Sequence, residues 1–168
     1  MKIYFGAAIQ GNFKRDARVE VMKAFVSCVE SLGHQVLTEH ICCSNKEEVL
    51  GLLKKKFGKL PESPAERAIF IRDTMIQYIE GDLDAAVFEV SAPSLGTGIE
   101  IAHSYLRPKL GLKPIPILLL YEKDFWPNGL SLMLTGLTEK SAPGLEVFEY
   151  KTINEAREKL ASFLSKPR

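Results

Sequence analysis

The sequence predicts a three-layer α/β domain, a five-stranded parallel sheet of order 2-1-3-4-5 with helices on both faces. Strand-like and helix-like segments alternate along the chain, the pattern of parallel strands joined by right-handed helical crossovers. The middle run Asp84–Val90 is largely apolar rather than alternating, as a strand buried on both faces requires. The 168 residues fit one domain, 1–168. A chain of this length buries roughly two-thirds of its unfolded surface, enough for a core without staples.

The elements follow in order. Lys2–Ala8 reads as the first strand, and Arg15–Gly33 as an amphipathic helix with Val19, Met22, Phe25, Val26 and Val29 on one side. Gly33 suits a helix stop. Gln35–Glu39 is a short second strand, and Ser44–Phe57 a helix whose basic end, Lys54-Lys55-Lys56, complements the dipole. Pro61 and Pro64 break the chain. Ser63, Pro64 and Glu66 then give a cap, a proline at the first position and an early acid, starting a helix that runs to about Glu80. After the third strand, Ser91–Gly98 reads as a turn and Ile99–Leu106 as a helix. Pro114–Tyr121 and Leu145–Tyr150 are the last strands, and Thr152–Leu164 is a helix capped by Thr152 and Glu155.

Composition narrows the function classes. Hydrophobic residues at 46% and charged residues at 26% exclude wholesale disorder. Lys plus Arg number 22 against 21 acidic residues, so no basic excess exists to drive binding to a nucleic acid polymer. No apolar run approaches the ~20 residues that cross a bilayer, so no membrane partner is expected. The first residues, Met1 to Phe5, are already strand-like and leave no room for a signal peptide. Three cysteines in no framework spacing agree with a cytoplasmic protein. Adjacent Cys42 and Cys43 lack the gap of a zinc pair, so neither a metal nor another cofactor is expected.

In sheets of this order a ligand crevice opens between the ends of the first and third strands. Two loops of small residues meet there, Ala7–Asn12 and Ser91–Gly98. The second leads into a helix, whose free N–H groups and positive dipole end make an anion site, with Ser94 and Thr97 able to add hydroxyls. Glu100 is expected in or near the first turn, where the dipole favours its ionised form. Taken alone, Glu100 equally suits helix capping. His103 and His34 read as packing or surface groups, and Trp126 with Phe125 as core or interface.

The run Glu89-Val90-Ser91-Ala92-Pro93-Ser94-Leu95-Gly96-Thr97-Gly98-Ile99-Glu100 closely resembles the signature loop of the 2′-deoxynucleoside 5′-phosphate N-hydrolases, which belong to the nucleoside 2-deoxyribosyltransferase superfamily. Ile3-Tyr4-Phe5-Gly6-Ala7-Ala8-Ile9-Gln10-Gly11 is similar to that family's first strand and ligand loop. Leu37–His40 resembles its second strand, Ile69–Asp73 the helix bearing its aspartate, and Leu130–Gly136 the late segment that reaches a neighbouring protomer. The resemblance implies a flavodoxin-like (Rossmann-like) fold and cleavage of the N-glycosidic bond of a nucleoside 5′-monophosphate, giving free base and sugar phosphate.

Roles follow from the same resemblance. Glu100 becomes the nucleophile that forms a glycosyl ester, Asp73 orients it or assists proton transfer to the base, and Tyr4 positions it. Ser94, with the N–H groups around Gly96 and Gly98, holds the 5′-phosphate, completed by Ser131 from the partner protomer of a homodimer. Gly6, Ile9 and Gly11 line the base and sugar pocket through their backbone. Ala8 and Gln10 stand where the hydrolases carry Ser and Arg. The stretch from Asp73 to the third strand is longer than the family's by most of a helical turn, and 43–64 is enlarged. A deoxyribosyltransferase is the alternative enzyme, but such enzymes carry an acid at the position of Ser94. A non-catalytic nucleotide-binding protein is the alternative outside enzymes.

Overall fold

The computed structural model describes residues 1–9, 15–125 and 129–166, and side chains other than those of residues 15–17. Strands β1 (Lys2–Ala7), β2 (Gln35–Val36), β3 (Ala85–Glu89), β4 (Ile117–Glu122) and β5 (Leu145–Tyr150) form one parallel sheet. Their order is β2-β1-β3-β4-β5, the expected one. The helices are α1 (Arg15–Ser31), α2 (Lys46–Phe57), α3 (Pro64–Glu80), α4 (Leu95–Leu106), α5 (Leu132–Thr135) and α6 (Ile153–Leu164). Among the described residues no helix is long and apolar enough to cross a membrane.

Strand periodicity sorts the core into two layers. Ile3 and Phe5 point with Val87, Leu118 and Leu120 toward α1 and α6, against Phe25, Val29 and Leu160. Tyr4 points the other way with Ala86, Phe88 and Leu119, against Met75 and Ile79 of α3 and Ile101 of α4. Gly6 has the same parity as Tyr4 and stands opposite Phe88 in the β1–β3 register. The face that packs on α3 and α4 is therefore also the face that carries Tyr4 and Gly6.

Helix ends follow local chemistry. Gly33 closes α1 at a φ of 77°, where a side chain would be strained. Asn45 caps α2 by accepting the Glu48 N–H at 2.9 Å. Thr152 and Glu155 form the reciprocal capping box expected at α6. Ser63 stands at the N-cap of α3 without a side-chain cap bond, and Pro64 opens that helix.

Three expectations need correction. The second strand is two residues long rather than five. Thr38 ends it, because its Oγ1 takes over both polar groups of Phe5, accepting the N–H at 2.9 Å and donating to the carbonyl at 2.6 Å. Glu39–Cys42 then forms a 3-10 turn. Helix α4 starts at Leu95, not Ile99, because the Ser94 side chain accepts the Thr97 N–H and turns the glycine-rich run into the first helical turn. The segment after β4 contains the short helix α5, which the sequence reading did not separate from its loop.

Candidate active site

The early start of α4 changes the setting of Glu100. It lies in the second turn, away from the favourable N–H groups of the helix end. Burial instead pushes its carboxyl up to about 7, against the pull of a hydrogen bond from the Tyr4 hydroxyl. The sequence expectation of a helix-favoured carboxylate is thus reversed, since desolvation outweighs the dipole at this depth. Tyr4 is itself raised well above its usual value, first by burial and then by the Glu100 charge.

Gly6 makes this approach possible. A Cβ there would stand 2.4 Å from Phe88 Cδ1 and 2.9 Å from Glu100 Oε2, so only a hydrogen fits between the ring and the carboxylate. The structure therefore brings Tyr4, Gly6 and Glu100 together, with Ala8 and Ile9 continuing from the end of β1; Ala8 is buried and Ile9 partly so. Gln10, Gly11 and Asn12, and also Trp126, lie outside the described residues.

Helix α4 separates two cavities. On one flank, a cleft of about 390 Å³ between α2, α3 and α4 is walled by Gly96 and Glu100 of α4. On the other, a hollow of about 590 Å³ is lined by Ser94, Gly98 and Ser131. Ser131 thus shares a hollow with Ser94 of its own chain, where its Oγ also accepts the Met133 N–H at 3.3 Å. Added Cβ atoms would meet nothing within 4 Å at Gly98 and only Ser94 Oγ, at 3.8 Å, at Gly96. These two glycines leave open space over the start of α4, where the first N–H groups of a helix have no partner within the helix.

Asp73 is not brought to Glu100. The residues of α3 that line the cleft include Ala68, Ile71, Arg72 and Met75, and Asp73 is not among them. Its Oδ1 accepts from Arg72 Nη1 at 2.5 Å, and its side chain is 43% exposed. His103 has a packing role: Nδ1 lies 2.9 Å from Glu80 Oε1 and ties α4 to α3. The enlarged 43–64 segment supplies α2, whose Lys46 and Leu50 wall the cleft.

One constellation escaped the sequence reading. Arg18 of α1, 4% exposed, pairs with Glu89, 2% exposed at the end of β3, and with Glu122 of β4. Tyr150 accepts from Arg18 at 3.1 Å and donates to Glu89 at 3.2 Å. Ser91 donates its hydroxyl and its N–H to Glu89, while its Oγ accepts the Glu122 N–H at 2.7 Å. This network anchors the loop that launches α4. Its signal in the sequence was a lone acid ending the buried strand Ala85–Glu89, which demands a buried cation.

No family model matches the chain. A protein of Thermofilum pendens, named "Putative 2′-deoxynucleoside 5′-phosphate N-hydrolase 1", is 35% identical over 164 residues, covering 98% of this chain and 95% of that protein. One of Syntrophotalea carbinolica with the same name is 34% identical over 123 residues, covering 72% of this chain and 68% of its own. With nearly the whole length aligned, and the loop from Glu89 to Glu100 built as a capped helix start beside Tyr4, the chain belongs to the family of the 2′-deoxynucleoside 5′-phosphate N-hydrolases.

Proposed function

We propose that this protein hydrolyses the N-glycosidic bond of 2′-deoxynucleoside 5′-monophosphates through an ester on Glu100. The observation that carries the reading is the Glu100 carboxylate, held over Gly6 by Tyr4 at one end of an open helix start. From Leu95 to Glu100 the helix rises about 7 Å. That is the reach of a sugar whose 5′-phosphate sits on the N–H groups of the first turn and whose anomeric carbon faces the carboxylate. Ser94 adds a hydroxyl at the phosphate end, and its neutrality favours a phosphate over a free 5′-hydroxyl.

In this reading Glu100 attacks the anomeric carbon as the base departs, and water then opens the ester. Tyr4 orients the carboxylate and favours its ionised form. The backbone at Gly6, Ala8 and Ile9 bounds the sugar. The protein works as a homodimer. Leu95, Leu132 and Met133 support this, being 91%, 86% and 83% exposed around the Ser94–Ser131 hollow, a large apolar surface for a solvated face.

The test is base release by HPLC from a panel of deoxynucleotides and the matching nucleosides, with and without an acceptor base. The expected result is free base from the monophosphates, little from the nucleosides, no transfer to the acceptor, and no release by a folded Glu100→Gln variant. Equal turnover of nucleosides, or activity in Glu100→Gln, overturns the reading.

A further inference from the structure

Cleavage of an N-glycosidic bond has a requirement that Glu100 does not meet. The electron pair of the breaking C1′–N bond goes to the base, and the resulting charge must be neutralised. Among the described residues lining the cleft, Glu100 is the only carboxyl group, and the other charged groups are Lys46, Arg67 and Arg72. Arg67 is engaged, donating to the carbonyls of Pro61 at 2.9 Å and Glu62 at 2.6 Å. Arg72 is fastened by one corner alone. Its Nη1 donates to Asp73, its side chain is 69% exposed, and the remaining N–H groups of the fork have no described partner. Ile71 and Met75 beside it give the cleft an apolar wall that suits a planar ring.

Resting on the hydrolase reading above, we propose that Arg72 receives the departing base, donating to a ring carbonyl of a keto base and neutralising its charge, with Asp73 as the positioning residue that holds the fork. An arginine does not give up its proton. The base therefore leaves as an anion delocalised onto the carbonyl oxygen that Arg72 holds, while a Glu100 oxygen bonds to C1′. The base takes its proton from water. The hydroxide so formed opens the ester, returning the Glu100 carboxylate and the sugar phosphate. Atoms and charge balance with water as the one co-reactant.

The experiment compares dGMP with 7-methyl-dGMP, whose base already carries a positive charge and departs neutral, after subtraction of the spontaneous rate. In Arg72→Gln, kcat on dGMP is expected to fall by ~10²-fold, while that on 7-methyl-dGMP stays within ~3-fold of the wild type. Asp73→Asn is expected to show a smaller loss with the same split between substrates, and Arg72→Lys to regain part of the dGMP rate by restoring charge. Equal losses on both substrates, or none on either, overturn the assignment of Arg72. Glu100→Gln separates this from the parent reading. If it matches the wild type, or the wild type releases no base, the hydrolase reading falls and the Arg72 proposal with it. If Glu100→Gln is dead and only the Arg72 split is missing, the Arg72 proposal alone falls.

Discussion

The Tyr4 hydroxyl donates a hydrogen bond to the Glu100 carboxylate across the gap between β1 and α4, and it opposes the burial that raises the acid to about 7. The nucleophile must be ionised, so kcat/KM is expected to rise with pH along a limb centred near 7. Tyr4→Phe removes the bond that favours the ion. Its acid limb is expected about one unit higher, with the plateau at high pH reduced less than the rate at pH 6. A pH profile of the variant with an unmoved limb contradicts this role for Tyr4.

The same burial predicts a cost in stability. Glu100 binds its proton more tightly in the folded state than at its ordinary 4.5. The stabilising effect of that tighter binding is fully present below 4.5 and is lost as pH rises through about 7. Above the window the ionised acid costs on the order of 3 kcal/mol. Glu100→Gln is therefore expected to be more stable than the wild type at pH 8, by about 2–3 kcal/mol, with the gap closing toward pH 4.5. Urea unfolding at the two pH values measures it. A difference independent of pH rules out Glu100 as the titrating group.

The fold was largely legible because it rests on local pattern. Apolar runs marked the strands, their alternation with helices fixed the parallel sheet, and Gly33, Thr152 and Glu155 marked helix ends that the structure bears out. What was not legible depends on groups distant in sequence. The length of β2 is decided by the Thr38 hydroxyl bonding to Phe5, thirty-three residues away. The ionisation of Glu100 is decided by burial under β1, which no spacing in α4 reveals. Asp73 was chosen by motif, yet its neighbour Arg72 is the residue of that pair that lines the cleft, a difference of one position that side-chain packing decides and the motif does not reveal.

Gly96 separates the needs of the helix from those of a ligand. Its Cβ would meet only Ser94 Oγ, at 3.8 Å, and its φ is not in the left-handed range. Gly96→Ala should therefore favour the helix by roughly 0.5–1 kcal/mol, seen as a rise in Tm. If a phosphate lies against the first turn, the added methyl crowds it, and KM for a deoxynucleotide should rise by about tenfold or more. A more stable protein with unchanged KM would place the phosphate elsewhere.

The last prediction concerns which protomer Ser131 serves. Within one chain Ser131 and Ser94 line the same hollow, whereas the resemblance to the hydrolases implies that Ser131 crosses to a partner. Mixed dimers decide between these. Glu100→Gln and Ser131→Asp are each expected to be nearly inactive, the first for want of a nucleophile and the second because a carboxylate repels the phosphate. If Ser131 crosses, a mixed dimer holds one site with both defects and one with neither, and random exchange restores about a quarter of all sites. If Ser131 serves its own chain, each site in the mixed dimer keeps one defect and nothing returns. The exposed Leu132 and Met133 flank Ser131 and would be covered in a twofold interface, bringing Ser131 to the boundary between protomers. Recovery near a quarter is therefore expected after proven subunit exchange, and its absence would return Ser131 to the site of its own chain.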